Sequence, residues 1–256
     1  MARKIRVEDA GFHHILNRSV NREVIFATDE DKEKFSEIVC EVSNHYDFTI
    51  HAYVIMSNHY HLLLENRREN LSHGMRAINA SYAQYYNKKY KRTGHLWQDR
   101  FKSWFVFDEN YLFTLFKYFE FNPIKAGITK KAGVYPYTLL HDILKDKLRV
   151  CTRDSFVLQW YQSTSELLKS VGITMSEDDF ARVEEFQKKA IAYKSNPKKI
   201  KENLDIKTYF KDDMTKQERN EAIMIAYHDG FTQSEIGRYL GLSCAGVGKI
   251  IKKLKV

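Results

Sequence analysis

The first polar and apolar pattern along the chain is GFHHILNRSV (11–20), which predicts a strand. Behind Thr28 or Asp29 as a cap, Phe35, Ile38, Val39, Val42 and Tyr46 recur at helical spacing and predict an amphipathic helix. FTIHAYVIM and HYHLLLE then alternate with period two around Ser57-Asn58, the pattern of a tight hairpin. A second helix is expected from about Leu71 to Tyr90, with Leu71, Met75, Ile78, Tyr82 and Tyr85/Tyr86 on one side. FKSWFVF follows Gly94 as a strand. Asp108 is read as the cap of a third helix that ends at Asn122, because the residue before Pro123 is pushed out of the α region. Strand, helix, strand, strand, helix, strand, helix is the order of an α+β domain with an antiparallel sheet of the split βαβ or ferredoxin-like kind. Beyond about residue 150 the strand signals stop. Segments 154–170 and 176–195 read as helical, and the proline-bearing basic run 195–203 reads as a boundary. The expected division is a domain over 1–150, a helical connector over 151–204 and an all-α module over 205–256.

Composition narrows the class. With 256 residues, 43% hydrophobic and 29% charged, the chain is globular rather than disordered. Only 11 glycines and 3 prolines argue against a β-sandwich with its many turns. The three cysteines (Cys40, Cys151, Cys244) are odd in number and far apart. They argue against a disulfide framework and a cysteine-based zinc site, and for a reducing compartment. No apolar run approaches the roughly 18 residues of a membrane span, and the N-terminus has no signal-type apolar region. A soluble cytoplasmic protein, associated with the nucleoid, is expected, with no membrane partner.

The net charge of +8 is concentrated. Residues 66–107 carry nine basic side chains against Glu69 and Asp99, and the last 26 residues carry five against Glu235. Two such zones are the footprint of a polyanion, or else a solvated basic face.

Two groups of residues carry candidate chemistry. His59 and His61 flank Tyr60 on the second arm of the hairpin, so both imidazoles leave one face of the sheet and could chelate a divalent metal. Taken alone, such a pair is more often structural. In KYFEFNP (117–123), Tyr118 and Asn122 are i and i+4 on the third helix and share a face. An amide oxygen suits Mg²⁺ or Mn²⁺ better than Zn²⁺. The plain alternative is that Tyr118 packs on the sheet and Asn122 caps the helix.

The runs HAYVIMSNHYHLLLE (51–65), LSHGMRAINASYAQYYNKKYKRTGHLWQDRFKS (71–103) and YFEFNPIKAGI (118–128) together resemble the REP-associated tyrosine transposases, of the one-tyrosine HUH class of single-strand DNA transposases. The resemblance covers about residues 10–140. It implies that His59 and His61 bind a divalent metal, that Tyr118 is the nucleophile and that Asn122 helps hold the metal. It also implies a 5′-phosphotyrosine intermediate with a free 3′-OH, and as partner a DNA hairpin with a single-stranded flank; a homodimer is compatible with it. Ser57 stands where relatives commonly have proline. His13 and His14 are candidates for lining the site or for a structural role.

Tyr82, Tyr85, Tyr86, Tyr90, Trp97 and Trp104 interleave with basic residues, a composition that suits unpaired bases, although about half of these rings are needed for the core. Arg92, His95, Gln98, Arg100 and Lys102 are the candidate DNA contacts. At the C-terminus, TQSEIGRYLGLSCAGVGKIIKKL (232–254) fits a helix-turn-helix. Ile236, Leu240, Leu242, Val247 and Ile250 point inward, Gly237 sits at the crossing, Gly241 in the turn, and Ser243 is the cap. Ser243, Cys244, Ala245 and Lys249 are its candidate base readers. The competing reading is a non-catalytic helix-turn-helix regulator. A zinc hydrolase lacks a third histidine or cysteine ligand at suitable spacing.

Overall fold

The computed structural model describes residues 7–106, 110–172, 175–195, 205–210, 214–228, 231, 233–243, 246–248 and 250–251. The chain divides into a larger unit, residues 6–187, and a smaller one in the C-terminal quarter from residue 188.

In the larger unit β1 (Gly11–Arg18), α1 (Asp29–Tyr46), β2 (Phe48–Ile55), β3 (His59–Asn66), α2 (Leu71–Lys89) and β4 (Lys102–Phe105) follow in that order. The sheet order is β2-β3-β1-β4 with every neighbouring pair antiparallel. This is the ferredoxin-like arrangement expected from the order of elements. Thr28 starts α1 with a capping box: its hydroxyl accepts from the Asp31 N–H, and the Asp31 carboxylate accepts from the Thr28 N–H. Asp47 in the left-handed region ends the helix.

Sheet parity decides what lies on each side. Tyr60, Leu62 and Leu64 leave β3 on one face and are fully buried. There Tyr60 meets Phe35 of α1 at 4.6 Å between ring centroids, and Trp97 at 5.6 Å. His59 and His61 leave the opposite face, which α3 (Asn110–Lys125) covers through Phe119. Buried Leu115, Phe116 and Phe119 of α3 join the single core of this unit.

Four details differ from the sequence-based expectation. First, α3 runs through Pro123 to Lys125. A proline removes only its own N–H, and hydrogen bonding resumes with Ala126 N–H to the Asn122 carbonyl at 3.0 Å. Asp108, the expected cap, lies outside the described residues. Second, the tyrosines of α2 are anchors. Tyr82 donates to the Ile25 carbonyl, Tyr86 to the Val24 carbonyl, and Tyr85 and Tyr90 to Asp31. Lys89 joins Asp31 at 2.7 Å, and these bonds hold the Asp31 carboxyl down at about 2 despite its burial. Third, Trp104 is buried against His14 and offers no face to a base.

Fourth, Cys40 and Cys151 form a disulfide, against the reading that the cysteines do not pair. The two are 111 residues apart in sequence, so only the tertiary fold unites them. Arg149 makes the connection: it grips Glu33 of α1 at 2.8 and 3.1 Å and the Tyr53 hydroxyl at 3.0 Å. That clamp lays Cys151 beside α1.

After α4 (Leu139–Leu144), the segments α5 (Phe156–Trp160) and α6 (Thr164–Val171) place Phe156, Val157, Leu167 and Val171 in the same core. The first turns of α7 (Glu177–Ser195) lie beside α3, with Lys117–Asp179 at 3.1 Å and the Tyr111 and Phe186 rings stacked at 4.1 Å.

The smaller unit has its own apolar cluster, with Ile223, Ala226, Ile236 and Val247 at its centre. It contains α8 (Lys216–His228) and α9 (Gln233–Leu240). Gly241 has φ +67°, which favours glycine, and nothing crowds it. The Leu242 N–H returns to the Gly237 carbonyl at 2.8 Å. Ser243 accepts from the Gly246 N–H at 3.0 Å.

Candidate functional site

The hairpin turn fixes the two histidines. The Met56 N–H donates to the His59 carbonyl at 2.8 Å, and His59 and His61 then emerge two residues apart on one face, ring centroids 5.4 Å apart. Across the sheet Leu16 pairs with His61 and Arg18 with His59. By the same parity His14, Leu16 and Arg18 of β1 share that face. The His14 ring is diagonal to His61, and His14 Nε2 bonds His61 Nδ1 at 2.9 Å. On the other histidine, Nδ1 lies 2.7 Å from Asn58 Oδ1. Both Nδ1 atoms are therefore engaged, and neither Nε2 has a hydrogen-bond partner among the described residues.

From above, α3 brings Tyr118 to this face. Its ring is 5.7 Å from His61 and 6.2 Å from His14. One turn on, Asn122 donates from Nδ2 to the Tyr118 carbonyl at 2.7 Å, and its side-chain amide acts on the phenol electrostatically. Among the described residues Asn122 makes no hydrogen bond to either histidine. No cluster of three or more His, Cys, Asp or Glu side chains there is placed to hold a metal ion. His13, one residue from His14, faces the other way and bonds the Asp9 carbonyl and Ser103.

Burial sets the electrostatics. It lowers His14 to about 3 and His59 to about 4, with the nearby Arg18 charge adding to the effect on His59. His61 is pushed well below its ordinary value by burial, with the His14, His59 and Arg18 charges adding to it. All three imidazoles are neutral at pH 7, the form that ligates metals. For Tyr118, burial and the Glu184 carboxylate raise the phenol above its ordinary value. The Arg18 charge and the Asn122 amide oppose them.

An acid-stability prediction follows for the metal-free chain. Each folded-state histidine pKa is depressed below the unfolded value, so below about pH 6.5 the unfolded chain binds protons that the folded chain refuses. Stability is complete above pH 6.5 and falls between pH 6.5 and about 3, His59 ceasing to contribute to the fall near 4 and His14 near 3. Each histidine contributes up to about 1.4 kcal/mol per pH unit. Urea unfolding at pH 7.5, 6 and 5 measures it; a flat profile would contradict the neutral buried triad.

Two contributors had no sequence signal of their own. Arg18 reaches the site through the β1–β3 register, and Phe180 of α7 sets its ring 6.4 Å from Tyr118. Among the expected DNA contacts, His95, Gln98, Arg100 and Lys102 are exposed. Arg92 is instead tied to Glu23 at 2.9 Å. Gln98, Arg100 and Lys102 line one groove with Leu16, Asn17, Arg18, Arg22 and Asp99. Ser243 is exposed, while Cys244, Ala245 and Lys249 lie outside the described residues.

Residues 9–122 match the model of the family described as "Transposase IS200 like". The match runs from just before β1 to Asn122 and takes in every residue of the cluster on the sheet except Phe180 and Glu184. Similar solved structures include a REP-associated tyrosine transposase bound to a REP hairpin, 17% identical, covering 64% of this chain and 93% of that one, TM-score 0.48. Another is a proposed transposase from Deinococcus radiodurans R1, 16% identical, covering 46% of this chain and 95% of that one, TM-score 0.34. No curated protein matches the chain significantly. Among the described residues, no helix is long and apolar enough to cross a membrane.

Proposed function

We propose that the chain is a single-strand DNA endonuclease and strand transferase that works at DNA hairpins through a 5′-phosphotyrosine on Tyr118. The observation that carries the reading is the meeting of Tyr118, on α3, with the neutral His59–His61 pair, within the segment that matches the transposase family model. The hairpin with a single-stranded flank comes from the resemblance to REP-associated tyrosine transposases.

The donor set fits a divalent metal. Both histidines have Nδ1 occupied and Nε2 open, the usual state of a metal-binding imidazole oriented by an outer partner. With Asn122 Nδ2 turned onto its own helix, Oδ1 remains as a hard donor. His59, His61 and Asn122 would hold Mg²⁺ or Mn²⁺. When bound, such an ion polarises the phosphate and stabilises charge on its oxygens. The Tyr118 oxygen attacks phosphorus, the bond to the 3′-oxygen breaks, and the phenol proton is lost as the 3′-oxygen gains one. One phosphodiester replaces another, so no external energy source is needed. Reversal by a different 3′-OH completes transfer. Phe119 and Phe180 keep the phenol packed on one side.

Incubation with hairpin oligonucleotides bearing a randomised single-stranded flank, with Mg²⁺ or Mn²⁺, should give a covalent adduct on a denaturing gel. Binding without any adduct would leave the regulator reading instead.

His14→Phe should weaken Mn²⁺ binding about 10–100-fold, because His61 loses the partner that fixes its ring. Calorimetric titration of the metal measures this; unchanged affinity would make His14 a packing residue only.

The smaller unit serves, in this reading, as a helix-turn-helix that holds flanking DNA through Ser243, Cys244, Ala245 and Lys249. Removing 205–256 should leave cleavage of a short hairpin intact and weaken binding to longer DNA in a salt-sensitive way. Equal affinities of the two chains for the longer DNA would assign the unit another role.

A further inference from the structure

Arg18 ends β1 on the same face as His59, directly across from it in the sheet register. Cross-strand neighbours of this kind have Cβ atoms about 4.5–5.5 Å apart. Its charge acts on His59, His61 and Tyr118 alike. No described carboxylate pairs with it, and its Nε is buried without a hydrogen-bond acceptor. Arg92 and Arg149, by contrast, are both paired with glutamates. The Gln98 N–H bonds the Arg18 carbonyl at 3.0 Å, which fixes the strand end against the 96–100 segment. Arg18 thus belongs both to the histidine face and to the groove that Arg22, Gln98, Asp99, Arg100 and Lys102 also line.

We propose that Arg18 is a further catalytic residue, its guanidinium binding the non-bridging oxygens of the phosphate that Tyr118 attacks. This rests on the function proposed above. A phosphate open to Tyr118 and to the His59–His61 pair sits among the groups that Arg18 faces. The guanidinium fork matches two phosphate oxygens at once, which a lysine cannot do. As Tyr118 oxygen bonds to phosphorus and the 3′-oxygen departs, negative charge builds on those oxygens. A cation already at the site, with no described carboxylate paired to it, stabilises that charge. The groove's remaining cations, Arg22, Arg100 and Lys102, then hold the unpaired strand leading to that phosphate.

The test uses the full chain and an oligonucleotide that the wild type cleaves. Arg18→Gln should slow single-turnover cleavage about 10²–10³-fold. Its affinity for the same DNA should change by less than about tenfold, the loss of one phosphate contact among several. Arg18→Lys should recover part of the rate. The decisive arm replaces the attacked phosphate with a neutral methylphosphonate. With the ground-state charge and one of the two non-bridging oxygens removed, the guanidinium has far less to stabilise, and Arg18→Gln and wild type should react within about threefold of each other. A misfolded or mispacked variant would be equally defective on both substrates, and that result would overturn the proposal, as would wild-type cleavage by Arg18→Gln. Absence of any adduct with the wild type would instead be a failure of the proposed function.

Discussion

Tyr118→Phe should abolish the covalent DNA adduct and cleavage while DNA binding stays nearly unchanged. The ring contacts with His61, His14 and Phe180 depend on the aromatic face, which phenylalanine keeps. Only the hydroxyl, the proposed nucleophile, and its interaction with the Asn122 amide are lost. Since burial raises the phenol above its ordinary range, the variant also removes a poorly solvated hydroxyl, and the fold should not weaken. The readout is a denaturing gel with end-labelled DNA, beside an anisotropy titration. An adduct formed by the phenylalanine variant would move the nucleophile to another tyrosine.

His61→Ala has the second-largest expected effect. It removes an open Nε2 donor and leaves His14 buried with no partner on either ring nitrogen. Metal affinity should collapse, and cleavage should fall at least about 10³-fold, corresponding to the several kcal/mol a metal supplies at a phosphate. Excess EDTA should reproduce the loss in the wild type, and a melting curve separates lost chemistry from lost fold. Full cleavage by the wild type in EDTA would remove the metal from the mechanism.

Much of this arrangement was legible in the chain because it rests on local rules. The period-two pattern of 48–55 and 59–66 gives a hairpin, and the same parity sends His59 and His61 to one side and Leu62 to the other. The i, i+4 spacing of Tyr118 and Asn122 makes them neighbours on any helix. Gly241 marks its turn by the φ that it alone takes without strain. The tyrosines of α2 were harder to place. A ring spaced for a helix face reads equally as a base platform or as an anchor, and only Asp31, some 55 residues upstream, decides for the anchor.

What the sequence by itself determined is therefore the four strands and first three helices, their order, and the face on which each candidate side chain leaves its own strand or helix, since these follow from backbone periodicity; α4 and the division of 154–170 into α5 and α6 were not legible in it. What only the tertiary structure decided is the meeting of faces. The β1–β3 register selects His14 and Arg18 for the site and turns His13 away, the docking of α3 sets Tyr118 over His61, and the Arg149 clamp joins Cys40 to Cys151. Those choices come from packing and hydrogen bonds between residues tens of positions apart, and short-range pattern carries no record of them.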